Sequence, residues 1–153
     1  MKKLWNYNDE NREYSSKKYP INMTFGNYRK KILCYERLYT TLTEEELLQL
    51  LKDAKDNKWT TLDISDCGIE KIPDELWEIS TLKVLYIGNW ENNEENKNRI
   101  TEISEKIENL INLEALSICN LKGIKIPVAL KYIPTLVYLD CFGCDFKKIV
   151  SAK

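Results

Sequence analysis

Trp59-x-x-Leu62-x-Ile64 recurs along the chain as Leu82-x-x-Leu85-x-Ile87, Leu113-x-x-Leu116-x-Ile118 and Leu136-x-x-Leu139-x-Cys141. The second Leu of each segment fixes the register: 62 to 85 is 23 residues, 85 to 116 is 31, and 116 to 139 is 23 again. The middle interval is one period plus eight, so a single insertion interrupts a regular array. Alternating apolar residues predict a short strand in each segment. Downstream, a second pattern repeats as Ile69-x-x-Ile72-Pro73-x-x-Leu76-x-x-Ile79, Ile100-x-x-Ile103-x-x-x-Ile107-x-x-Leu110 and Ile126-Pro127-x-x-Leu130-x-x-Ile133. Its spacing of four then three predicts a helical turn packed behind the strand. No such unit buries its apolar side alone, and neighbours must stack to build one continuous core.

The segments resemble leucine-rich repeats of the 23-residue type, with the Ile-Pro-x-x-Leu-like second half of many bacterial and Ras-suppressor-like intracellular members. The resemblance covers about residues 59–149. It implies an α/β fold, a right-handed leucine-rich-repeat solenoid with a parallel sheet on the concave face and short helices or 3-10 turns on the convex face. It also implies that the concave sheet is the ligand face. The family places Asn five residues after the second Leu, where its amide bonds the backbone of adjacent repeats. Here those places hold Cys67, Trp90, Leu121 and Cys144. Asp66, Asn89 and Asn120 stand one residue earlier, which predicts a strand-to-loop turn displaced by one position.

Repeat stacks need their apolar ends covered. Thr43-Glu44-Glu45-Glu46 is a capping-box sequence followed by Leu47, Leu48, Leu50, Leu51 and Ala54, predicting a cap helix over 44–57 at the front of the array. Upstream, Tyr28, Ile32, Tyr35 and Tyr39 recur at helical spacing after Asn27 and predict a further helix. Residues 1–20 are expected to form a loosely attached tail. The domain division is thus a basic N-terminal extension, 1–42, partly helical, and a repeat domain, 43–153. At the other end Phe146, Ile149 and Val150 are expected to form a minimal lid, unless that edge meets another chain or the protein continues. Lys147, Lys148 and Lys153 blunt the edge, so a monomer is the expected state, with the C-terminal edge as the place where a second chain would pair.

Composition narrows the function. Of 153 residues, 31% are charged and 43% hydrophobic, an ordinary globular balance with a net charge of −1. That charge is unevenly spread: residues 1–42 carry nine Lys/Arg against four Asp/Glu, a balance of +5, leaving −6 in residues 43–153. The leader holds no nucleic-acid motif or sustained basic helix face, and it reads as a solvated basic cap, with nucleic acid disfavoured as partner. No apolar stretch follows Met1-Lys2-Lys3 to make a secretory signal, and none is long enough to span a membrane. Five cysteines, an odd number, agree with a reducing, cytoplasmic setting.

The chain contains no His, which removes Ser-His-Asp, Cys-His and imidazole-metal chemistry together. Cys141-Phe142-Gly143-Cys144 has zinc-knuckle spacing, yet the register places both thiols inward and no further ligand pair exists. Glu44–Glu46 and Glu94-Glu95 lack calcium-loop spacing, and the five glycines form no phosphate-binding loop. No catalytic site, cofactor or metal is expected.

Binding is expected instead on the positions that alternate with the core. They are Thr61, Asp63 and Ser65; Val84, Tyr86 and Gly88; Ala115, Ser117 and Cys119; and Tyr138, Asp140 and Phe142. Asn89 and the polar 91–99 insertion flank them. Small residues around three aromatics match the composition of interface centres, and within this set Cys119 is the thiol expected to react. The reading is a module that binds a protein or peptide on an open concave face. The alternative is a sensor or recruitment fragment of a larger enzyme or effector whose catalytic domain lies elsewhere.

Overall fold

A computed structural model describes residues 41–89 and 94–145, together with the backbone of 6–8 and 13–15. The expected helix over 27–39, the Phe146–Val150 lid and Trp90 lie outside the described residues. Within the predicted tail, β1 (Asn6–Asn8) pairs antiparallel with β2 (Glu13–Ser15), Tyr7 opposite Tyr14.

The capping-box sequence starts a helix where it should. Helix α1 spans Glu44–Asp56, and the Thr43 hydroxyl accepts the Glu46 N–H at 3.1 Å. Glu44, Glu45 and Glu46 sit in the first turn, where the exposed N–H groups favour negative charge. The helix stops one residue earlier than expected, with Asn57 closing it through its amide to the Asp53 carbonyl at 2.8 Å. Leu47, Leu50, Leu51 and Ala54 are buried in the core, and Lys55 pairs with Glu78 of the first repeat at 2.9 Å. Thr43→Ala is expected to cost about 1 kcal/mol, a fall of about 3 °C in thermal midpoint, readable by calorimetry.

The four repeated segments form a parallel sheet in the order β3 (Thr61–Asp63), β4 (Val84–Tyr86), β5 (Ala115–Ser117) and β6 (Tyr138–Asp140). Leu62, Leu85, Leu116 and Leu139 stand side by side, so the sequence register is the spatial register. The second-half pattern produces 3-10 turns, Asp74–Glu78, Glu105–Asn109 and Val128–Tyr132. Pro73 and Pro127 precede two of them, and Ser104 caps the third through the Lys106 N–H at 3.1 Å. Five residues per turn segment are too few for a stable α-helix, and the tighter 3-10 winding fits the short return path.

The core is one continuous layer between sheet and turns. Ile64, Leu76, Ile79, Leu82, Ile87, Ile107, Leu110 and Ile118 are among its fully enclosed members. At β6 the layer thins, with Leu136, Leu139, Cys141 and Cys144 only partly buried against it.

Candidate binding face of the sheet

Two polar ladders hold the strands in register. At the C-terminal ends of the strands the ladder residue is Asn98, a residue the predicted insertion had swallowed. Its amide donates to the Ile64 carbonyl at 2.9 Å and the Ile87 carbonyl at 3.0 Å, and its oxygen accepts the N–H of Cys67 at 3.0 Å and of Ile69 at 2.9 Å. The place assigned to Trp90 therefore belongs to Asn98, eight residues later, and the excess ends before it rather than at Arg99. At the other ends of the strands a second ladder appears. Thr81 donates to the Trp59 carbonyl at 2.7 Å, Asn112 to the Ser80 carbonyl at 2.8 Å, and Thr135 to the Leu113 carbonyl at 2.7 Å.

At Asn98 the ladder keeps its usual place, so the displacement by one position predicted from Asp66, Asn89 and Asn120 does not occur there; Asp66 and Asn120 instead adopt left-handed φ values of 51° and 58°. Short polar side chains tolerate that region better than most. Asn120 then donates to the Asn89 carbonyl at 2.8 Å. Asn89 itself is consumed by structure: its amide and the backbone of Asn98 exchange two hydrogen bonds, at 2.9 and 2.7 Å, across the neck of the insertion. It is buried, so the expectation that it reaches a ligand is corrected. Gly88 has a separate reason to be glycine, since a Cβ there would fall against the backbone of Cys119.

The open face expected from strand alternation is not open. Of the thirteen positions expected to bind, eleven are buried: Thr61, Asp63, Ser65, Val84, Tyr86, Gly88, Asn89, Ala115, Ser117, Cys119 and Asp140. Tyr138 is half-buried and Phe142 is 75% exposed. Alternation did turn these side chains away from the core, because Val84, Tyr86, Ala115 and Cys119 are buried yet belong to no part of the continuous core. The sheet is thus covered on both faces. Cys119 accordingly loses its expected reactivity: burial pushes its thiol up to about 12, only partly offset by hydrogen bonding. The Cys141-Phe142-Gly143-Cys144 thiols lie partly buried, Cys144 donating to the Ile118 carbonyl at 3.0 Å.

Across the middle of this face the register sets Asp63, Tyr86, Ser117 and Asp140 in one row. At its β6 end, Asp140 accepts from the Ser117 hydroxyl at 3.1 Å and from the Phe142 N–H at 3.3 Å. At its β3 end one Asp63 oxygen accepts the Ser65 N–H at 3.0 Å and the Ser65 hydroxyl. The other oxygen of Asp63 and the hydroxyl of Thr61 are buried without a hydrogen-bond partner. Between the ends, burial and then the charges of Asp63 and Asp140 hold the Tyr86 phenol far above its ordinary value, so it stays neutral. Among the described residues no three side chains able to ligate a metal come together, and no helix is long and apolar enough to cross a membrane.

In-register strand and 3-10 units around one core define an α/β repeat fold of leucine-rich-repeat-like build. Among solved structures, the chain is similar to a leucine-rich-repeat protein of Leptospira interrogans, at 21% identity and a TM-score of 0.42; the match covers 66% of this chain and 29% of that one. No family model matches, and neither does any curated protein.

Proposed function

We propose that the chain is a cytoplasmic polypeptide-binding module, a right-handed solenoid of the 23-residue type capped at its front by α1, which takes its partner on the concave sheet face. The observation that carries this reading is the pair of unpartnered polar atoms on β3, the hydroxyl of Thr61 and the second oxygen of Asp63. Burying a carboxylate oxygen without a donor is expensive, and a ligand that brings the donor recovers that cost. An Arg or Lys side chain of an extended segment supplies it, with Tyr86 beside the same carboxylate. Half-buried Tyr138 and exposed Phe142 stand at the far margin as apolar anchors. Asp63, Asp66 and Asp140 give the face a negative character that repels a phosphate backbone, so nucleic acid does not suit it. Binding and not catalysis is the role such a face supports.

The test is selection of a random peptide library on the immobilised full chain. Recovered peptides are expected to be rich in Arg or Lys, and Asp63→Asn, of nearly identical shape, is expected to lower their retention about tenfold, or about 1.4 kcal/mol. A library that yields no enrichment, or peptides held equally by the Asn variant, rules the reading out.

A further inference from the structure

We infer that the row across the concave face selects an extended segment carrying two basic residues four positions apart, one for Asp63 and one for Asp140. That selection rests on the polypeptide-binding role proposed above and adds the partner's spacing to it. Two carboxylates alone do not make a site; the second oxygen of Asp63, which has no hydrogen-bond partner, is what calls for a donor from outside. Among the described residues no Lys or Arg pairs with either carboxylate. At Asp140 one oxygen accepts the Ser117 hydroxyl and the other the Phe142 N–H. An ionised carboxylate offers about four acceptor positions, so both oxygens can still receive a guanidinium.

The backbone fixes the span. Asp63, Tyr86, Ser117 and Asp140 stand in register on consecutive strands, with Asp63 on β3 and Asp140 on β6. Three steps between strands, each of about 4.8 Å, separate the two acidic residues by about 14 Å. A ligand that satisfies both must present two cations on one face at that distance. An extended chain rises about 3.3 Å per residue and returns a side chain to the same face every second residue. Four residues therefore give about 13 Å on the correct face, two give only about 7 Å, and odd spacings turn the second cation away. An α-helix returns to the same face after seven or eleven residues, about 10 or 16 Å, and polyproline II after three or six, about 9 or 19 Å. The extended chain is the closest match. In that pose the residue midway between the two cations faces Tyr86 and Ser117, the two positions that separate the acids in the row.

At about 14 Å the two acids lie beyond the screening length of about 8 Å at physiological ionic strength, so the two contacts are expected to add. Asp63→Asn and Asp140→Asn are each expected to lower affinity about tenfold, and together about a hundredfold.

Selection of a random peptide library on the immobilised full chain tests the spacing when the recovered sequences are aligned on their Lys and Arg. Pairs four apart are expected to outnumber pairs two, three or five apart. One recovered peptide is then synthesised with each of its two basic residues replaced in turn by Gln, and its affinity for the wild type and for each Asn variant is measured by calorimetry. One Gln replacement is expected to cost about tenfold on the wild type and nothing further on Asp63→Asn, and the other to behave in the same way with Asp140→Asn. Basic peptides without the spacing of four, or two basic residues that both couple to Asp63, overturn the double clamp and leave the polypeptide-binding role standing. A library without enrichment in basic residues overturns both. Asn keeps the shape of Asp; if Asp140→Asn nevertheless loses the native circular dichroism spectrum, the spacing among peptides recovered on the wild type decides alone.

Discussion

Replacing Asn98 with alanine is expected to destabilise the chain by about 4 kcal/mol, since the side chain serves four buried backbone groups that each cost about 1–3 kcal/mol when orphaned and partly relax. That loss lowers the thermal midpoint by about 12 °C in a domain of this size. The reason is geometric. One amide, 2% exposed, donates to carbonyls of two successive repeats and accepts N–H groups on either side of Gly68. No other described side chain spans the same four groups. Asn98→Asp should cost at least as much, because a carboxylate in that position faces the Ile64 and Ile87 carbonyls in place of two donors. Urea denaturation monitored by circular dichroism measures both variants; a loss under about 1 kcal/mol for Asn98→Ala would mean that water replaces the amide.

The second large effect separates two tyrosines that look equivalent in sequence. Tyr86 and Tyr138 each alternate with core leucines, yet Tyr86 is 1% exposed and Tyr138 only half-buried. Tyr86→Ala is expected to cost about 4 kcal/mol through lost burial and the cavity left behind. Tyr138→Ala, at the margin and partly wet, should cost about 1 kcal/mol, in keeping with an ordinary point substitution. Thermal denaturation of the two variants decides the matter. Equal and small losses would mean that Tyr86 is open to solvent.

The repeat fold was legible because it rests on periodicity. Leucines at positions 62, 85, 116 and 139 announce the strands, and their intervals announce the one interruption. Helix α1 was legible from Thr43 and its three glutamates, since capping is a local interaction. What could not be read is what depends on distance in sequence. Asn98 sits in a polar stretch that reads as loop, although it lies 31 residues after Cys67, the same interval that separates Leu85 from Leu116. Carrying the ladder count across the insertion would have found it. Thr81, Asn112 and Thr135 repeat at the same intervals, but a period read from apolar residues passes over them. The exposure of the sheet face could not be read for a different reason. Alternation tells which way a side chain points from a strand, and says nothing of how exposed it is there.

The neck formed by Asn89 and Asn98 has a practical consequence. Two side-chain hydrogen bonds clamp residues nine apart in sequence, while the Gly68 N–H on the first repeat holds the Asn96 carbonyl at 2.7 Å. Both feet of the excursion are thereby bolted to the scaffold by Asn89, Asn96 and Asn98, on either side of the span between Asn89 and Glu94. That short span is a port: an epitope, a fluorophore-bearing peptide or a small reporter domain spliced there would be carried by the stack without being asked to hold it together.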